Sequence, residues 1–188
     1  HHGPLFWAGL APVVDPPRDP FAKALAGRLF VSLFWLGTLG LVARRRRGAD
    51  VLEGALAAAW LAAFTAFAQK SLEIRPDVPG MFLVVAASWA IARPGRGAGL
   101  LAGALLGAAL WFTPKAAFPA AGMLLAAAWR RAEEDGAPAA GIFLGRAAAG
   151  AGLVAAVGLA YFAARGGLGG LWSYYFLYNM GFPGTRVS

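Results

Sequence analysis

The chain has 188 residues, of which 59% are hydrophobic, and it carries a formal net charge of +8 at pH 7. Soluble domains are about 45–50% apolar, so this composition favours an integral membrane protein over an ordinary soluble domain. The basic residues lie mostly at the ends of apolar blocks, not among aromatic residues, which argues against a nucleic-acid partner. No cysteine is present, which excludes disulfides and thiol catalysis.

Residues 1–22 form an amphipathic, proline-rich segment ahead of the first apolar block. Phe6 and Trp7 suit a membrane–water interface. The prolines within residues 15–20 exclude a continuous helix there, because each proline lacks a backbone N–H donor. We therefore expect an outer segment that is partly amphipathic and partly loop.

Apolar blocks of about transmembrane length follow along residues 24–164. We predict about six spans, at residues 24–43, 51–68, 78–92, 98–112, 116–128 and 141–164. The third is short for a bilayer core of roughly 30 Å. A polar loop is expected at residues 133–138.

Residues 165–188 contain a stretch rich in tryptophan and tyrosine, which predicts an interfacial helix on the outer face. The predicted fold class is thus all-α. It is a polytopic transmembrane helical bundle of about six spans plus interfacial helices, and residues 1–188 form one partial transmembrane domain.

The arginines predict the orientation of the bundle. Cytoplasmic loops carry an excess of lysine and arginine, and the expected inner loops hold eight arginines: Arg44, Arg45, Arg46, Arg47, Arg93, Arg96, Arg130 and Arg131. This pattern predicts a multi-pass protein of the cytoplasmic (inner) membrane. The links at residues 69–77 and 113–119 then fall on the extracytoplasmic side.

Small residues recur at four-residue spacing within two of the predicted spans. The glycines are Gly99, Gly103 and Gly107 in one span, and Gly141 and Gly145 in another. Such spacing favours close helix packing in lipid. A genome rich in alanine and glycine codons explains it equally well.

The link between the second and third spans gathers Gln69, Lys70, Glu73, Arg75 and Asp77 in nine residues. Ionisable groups near membrane depth are costly and tend to be functional. Because Pro76 disfavours helix at the preceding residue, an extended form would put the last three on one side. Asp77 has two compatible interpretations: an N-cap of the third span, or a carboxylate that binds a proton, a metal or a sugar hydroxyl.

Two further candidates lie on the expected outer side. Lys115 suits the phosphate of a lipid-linked donor, and its alternative is a snorkelling membrane anchor. His1 and His2 suit a metal or a substrate phosphate, and their alternative is the remains of a purification tag.

Several segments together resemble the GT-C-type membrane glycosyltransferases, in the branch of the protein O-mannosyltransferases and the lipid A aminoarabinose transferase. They are HHGPLFWAGLAPV (residues 1–13), AGRLFVSLFWLGTLGLVARR (26–45), EIRPDVPGMFLVVAAS (73–88) and LLGAALWFTPKAAF (105–118). The family places its main acidic catalytic motif ahead of the first of these segments. We therefore expect a fragment that lacks the N-terminal catalytic loop and is inactive alone.

The resemblance implies transfer of a sugar from a polyprenyl-phosphate carrier to an acceptor on the extracytoplasmic side. It implies a catalytic role for Asp77 and substrate-binding roles for the other candidates, namely His1, His2, Glu73, Arg75 and Lys115. It leaves open the sugar, the acceptor and the use of a divalent metal, for which the sequence shows no convincing ligand set. Two other functions stay open: a multi-span transporter and a non-enzymatic membrane assembly subunit.

Overall fold

The computed structural model describes residues 4–14, 19–44, 51–63 and 73–173, and within these ranges all regular structure is helical. The helices are α1 Pro4–Val14, α2 Pro20–Ala43, α3 Val51–Ala63, α4 Asp77–Ala92, α5 Ala98–Phe112, α6 Ala117–Asp135 and α7 Ala137–Ala164. A short 3₁₀ helix, Pro114–Ala116, joins α5 to α6, and a helical turn begins at Leu168 after α7. The prediction of an all-α fold is confirmed.

The N-terminal part of the chain is more helical than predicted. α1 occupies Pro4–Val14, with Pro12 inside it. α2 begins at Pro20, four residues earlier than the expected span, because the Asp19 carboxylate accepts a hydrogen bond from the Ala22 N–H at 2.9 Å. An aspartate cap followed by proline at the first helical position is a strong start signal.

The helices of the second half of the chain lie where spans were predicted, but α6 ends seven residues later than predicted and α7 begins four residues earlier. α5 has the predicted bounds, and it ends where Pro114 forces Thr113 into an extended conformation with φ −150°. The polar loop expected at residues 133–138 is wrong, because α6 continues to Asp135. An ion pair one helical turn apart, Arg130 to Glu134 at 3.3 Å, supports this extension. Gly136 then ends the helix at φ +88°.

α5 lies at the centre of the bundle and packs against α4, α7 and α1. Its glycines allow the close approach to α7: a Cβ atom at Gly103 would overlap the carbonyl oxygen of Ala147, and one at Gly107 would lie 2.9 Å from the Cα of Ala151. The predicted packing role of the α5 glycines is confirmed. On α7, however, Gly141 and Gly145 face open space.

The α7 residues that meet α5 are therefore different from the predicted pair. Gly150 is buried, and a Cβ atom there would overlap the carbonyl oxygen of Leu100. α5 and α7 run in the same direction. Gly99, Gly103 and Gly107 of α5 therefore meet Phe143, Ala147 and Ala151 of α7, so that each step of four residues on one helix corresponds to a step of four on the other.

The helices alternate in direction, so the bundle has two distinct ends. At one end, the indole N–H of Trp89 donates to the Leu41 carbonyl at 3.0 Å, near the last turns of α4 and α2. At the other end, the Ile74 side chain lies against Gly27 near the start of α2. We call the first the arginine end, after Arg44, Arg93, Arg96 and Arg131, and the second the Asp77 end.

Among the described residues, two helices, α2 with 24 residues and α7 with 28, are long and apolar enough to cross a membrane. At 1.5 Å per residue they measure about 36 Å and 42 Å. Only 17% of the apolar window of α2 and 11% of that of α7 are buried. The apolar parts of α3, α4 and α5 are shorter, so about six spans stays a prediction.

The exposed face of α2 is lined with leucine. Leu25, Leu29, Leu33 and Leu36 are exposed by 48%, 60%, 68% and 55%. Spacings of four and three residues place them along one side of the helix. An apolar stripe of this length that faces away from the protein is typical of a surface covered by lipid or by another protein.

Candidate functional site

Asp77 is held by two side chains from the link between α5 and α6. The hydroxyl of Thr113 donates to Asp77 Oδ1 at 2.9 Å, and Lys115 Nζ lies 3.2 Å from Oδ2. Thr113 is buried, while the side chains of Asp77 and Lys115 are exposed by 37% and 69%. One carboxylate is thus fixed in direction yet open to a ligand from outside.

The sequence Thr113-Pro114-Lys115 explains this geometry locally. The extended Thr113 turns the chain out of α5, and Pro114 starts the 3₁₀ helix that carries Lys115. Both side chains therefore reach the first turn of α4. The close approach also needs Gly80, where a Cβ atom would lie 2.7 Å from Cγ2 of Thr113.

The interpretation of Asp77 as an N-cap is wrong. Pro76 occupies the cap position, no side chain caps the helix, and Asp77 is the first helical residue. Its oxygens bond across the bundle to Thr113 and Lys115. The α4 N-terminus still favours a negative charge at this position through the helix dipole.

Glu73 and Arg75 form an ion pair with each other, between Oε2 and Nε, with side chains exposed by 43% and 40%. Between them, Ile74 packs into a small cluster built on Phe6, Leu10 and Val78. This anchor places the pair beside the start of α4 and close in the chain to Asp77. All three predicted residues of the link therefore lie at the same end of the bundle as Lys115.

The other predicted site residues, His1 and His2, lie outside the described residues. Among those that the structure describes, no group of three histidine, aspartate or glutamate side chains is placed to hold a metal ion.

An apolar groove of about 560 Å³ opens between α1, α5 and α7. Trp111 and Phe162 stack along one wall, with ring centroids 6.1 Å apart and an interplanar angle of 12°. Trp111 lies two residues before Thr113, so the groove reaches toward the Asp77 end. Its lining of aromatic and aliphatic residues suits a hydrocarbon chain.

Thr113 is the site residue that the sequence analysis missed. A threonine at the end of an apolar helix is ordinary, and its contact with Asp77 joins residues 36 positions apart. The proline that follows it marks a break in the helix, which was the only available signal.

Comparisons with protein-family models, with curated proteins and with solved structures found no match for this chain.

Proposed function

We propose that this chain is part of an integral membrane glycosyltransferase. It would move a sugar from a polyprenyl-phosphate carrier to an acceptor on the extracytoplasmic side of the cytoplasmic membrane. One observation carries the proposal: the Asp77 carboxylate meets the Lys115 ammonium at 3.2 Å, at the end of the bundle where Trp111, two residues before Thr113, lines the apolar groove. This reaction requires a carboxylate that can act as a base, a cation for the phosphate and a groove for the hydrocarbon chain.

The proposed membrane arrangement follows from charge and length. α2 and α7 cross the bilayer, and the shorter helices between them complete a bundle of about six spans. The arginine end faces the cytoplasm under the positive-inside rule, so the Asp77 end faces outward. Lipid covers the exposed leucines of α2.

In the proposed reaction, the phosphate of the donor pairs with Lys115, with Arg75 as a second cation held by Glu73. The Asp77 carboxylate accepts the proton of the acceptor hydroxyl. The hydroxyl oxygen forms a bond to the anomeric carbon, and the bond from that carbon to the phosphate oxygen breaks. The electron pair leaves with the polyprenyl phosphate. His1 and His2 stay assigned to the donor site by resemblance alone.

Substitution at Asp77 and Lys115 tests the proposal. In membranes from cells that express the complete gene, we expect Asp77→Asn to lower sugar transfer from a polyprenyl-phosphate donor about 100-fold, the lower range for loss of a general base. We expect Lys115→Ala to lower it about 100-fold as well, the lower range for loss of a group that stabilises negative charge developing on the leaving group. Glu134→Gln is the control, because that carboxylate pairs with Arg130 at the other end of the bundle. Unchanged turnover in both site variants would contradict the assignment.

The same contact favours a second function, that of a non-enzymatic assembly subunit. Asp77 joins α4 to the α5–α6 link, which is what a purely structural ion pair does. This alternative predicts that Asp77→Asn lowers the unfolding temperature while cell-envelope assembly persists and no lipid-linked sugar is turned over. The transporter alternative has less support, because α4 beyond Asp77 and all of α5 carry no charged residue.

A further inference from the structure

A second cleft, of about 330 Å³, opens at the arginine end, away from the proposed active site. Three arginines line it from three different elements: Arg96 from the α4–α5 link, Arg131 from α6 and Arg146 from α7. One carboxylate, Asp135, also lines it. The cleft therefore has an excess of positive charge, in a volume that suits a small headgroup.

Arg131 is oriented by its surroundings. Its guanidinium donates to the carbonyls of Ala127 at 3.3 Å and Ile91 at 3.2 Å, and its Cζ lies 4.0 Å from the centre of the Phe143 ring. A guanidinium has five N–H donors, so these two bonds orient the Arg131 group and leave other N–H donors for a ligand. A half-buried, pre-oriented arginine loses little conformational entropy when it binds an anion.

Arg146 connects the cleft to the α4–α5 link. It donates to the Arg96 carbonyl at 3.0 Å, although it lies 50 positions further along the chain. That bond holds the backbone of the link beside α7, so the side chain of Arg96 is presented to the same cleft. With three cations and one carboxylate, the lining keeps a net positive charge that a bound anion would offset.

The backbone adds to the positive potential. α5 and α7 both begin beside the cleft, after the cap residues Gly97 and Gly136, and neither helix has a side-chain cap. The helix dipole places partial positive charge at each N-terminus. Gly99 and Ala139, in the first turns of these helices, belong to the cleft lining.

We propose that this cleft binds the phosphate of an anionic phospholipid headgroup. Phosphate matches the planar guanidinium groups in charge and in hydrogen-bond geometry. A lipid is favoured over a free phosphate because the cleft lining includes Ile142, which is 56% exposed and belongs to the exposed apolar surface of α7. Acyl chains can lie along that surface while the headgroup occupies the cleft. The proposal does not depend on the glycosyltransferase assignment, since the two sites lie at opposite ends of the bundle.

Native mass spectrometry of the purified chain in detergent tests the site, with dioleoyl phosphatidylglycerol titrated against dioleoyl phosphatidylcholine. We expect selective retention of phosphatidylglycerol, and an affinity about fivefold lower in Arg96→Gln and in Arg131→Gln, from about 1 kcal/mol per cation near a membrane surface. Asp135→Asn removes the opposing charge from the cleft and should tighten binding.

Arg130→Gln is the matched control. Arg130 is the neighbour of Arg131 on α6, has the same charge, and pairs with Glu134 outside the cleft. Equal loss of affinity in Arg130→Gln and Arg96→Gln would overturn the proposal, because it would reduce the effect to general surface charge. Equal retention of the two lipids would also overturn it.

Two further measurements keep the test decisive. Soluble glycerol 3-phosphate that binds as tightly as phosphatidylglycerol would overturn the lipid assignment in favour of a free phosphate. Arg131 also supports the fold, so its variant is compared only if circular dichroism shows unchanged helicity. Arg96→Gln, in an exposed link, and Asp135→Asn test the cleft independently of that result.

Discussion

At the scale of single residues, the Asp77 end depends on a buried threonine. The Thr113 hydroxyl and the Lys115 ammonium each bind one oxygen of Asp77. The ion pair is half exposed, and such pairs contribute little to stability by themselves. The hydrogen bond from Thr113 contributes more, because its donor is buried. When this bond is lost, one carboxylate oxygen of Asp77 faces a methyl group.

Thr113→Val should therefore lower the free energy of unfolding by about 1 kcal/mol, the usual net contribution of one hydrogen bond, because the partly exposed carboxylate keeps access to water. Valine keeps the shape of threonine, so the change isolates the hydrogen bond. Thermal unfolding in detergent, followed by circular dichroism, measures the effect. Ser88→Ala is the control, since that hydroxyl donates only to the Val85 carbonyl within its own helix and should change stability by a few tenths of this amount. Equal shifts in the two variants would contradict the role of Thr113.

At the scale of helices, the bundle is organised by the contact between α5 and α7. Glycines on α5 allow the two helix backbones to come into direct van der Waals contact, as at Gly103 and Ala147. Close packing of this kind is the main source of association between helices in lipid, where burial of apolar area provides little driving force. The glycines that face outward from α7 have no such function.

A pair of glycine substitutions separates these two cases. Gly103→Ala should destabilise the protein by about 1–3 kcal/mol, because the added methyl overlaps the α7 backbone and forces the helices apart. Gly145→Ala, on the open face of α7, should be neutral or stabilise it by up to about 1 kcal/mol through the helix propensity of alanine. Unfolding by sodium dodecyl sulfate in mixed micelles measures both. Equal effects would show that helix propensity, not packing, decides the result.

At the scale of the whole molecule, the two ends of the bundle differ in chemistry. Asp77, Lys115 and the Glu73–Arg75 pair lie at one end. The arginines of the helix links and the second cleft lie at the other. This separation agrees with a bundle that presents one end to each side of a membrane, and it makes the orientation measurable.

Cysteine labelling of intact cells measures that orientation, and residues 1–188 contain no cysteine that would add background labelling. A membrane-impermeant maleimide added from outside should label Glu73→Cys and should not label Arg96→Cys until the cells are opened. Each position lies in a partly or fully exposed link, so access depends on the side of the membrane. If the maleimide added from outside labelled only Arg96→Cys, the proposed orientation would be wrong, and Asp77 would lie on the cytoplasmic side.

The helices were largely predictable, and their contacts were not. α5 matched its predicted bounds, and α4 and α2 ended where predicted, because apolar runs interrupted by proline, glycine and arginine are local signals. The helical continuation of α6 through Glu133 and Glu134 was missed, since charged residues that favour a loop by polarity also favour a helix by propensity. Of the candidate site, Asp77 and Lys115 were predicted separately, and their direct pairing was not.

An all-helical, apolar chain with its charges at helix ends could be read from the residues alone, because hydropathy and helix breakers act over a few neighbouring residues. The bond from Thr113 to Asp77, and the bond by which Arg146 holds the Arg96 backbone at the cleft that Arg131 also lines, depend on tertiary packing. Those partners lie tens of positions apart, and they meet only because glycines let α4, α5 and α7 approach closely. Which atoms share a site therefore depended on packing distance between helices, a quantity that no local pattern of residues contains.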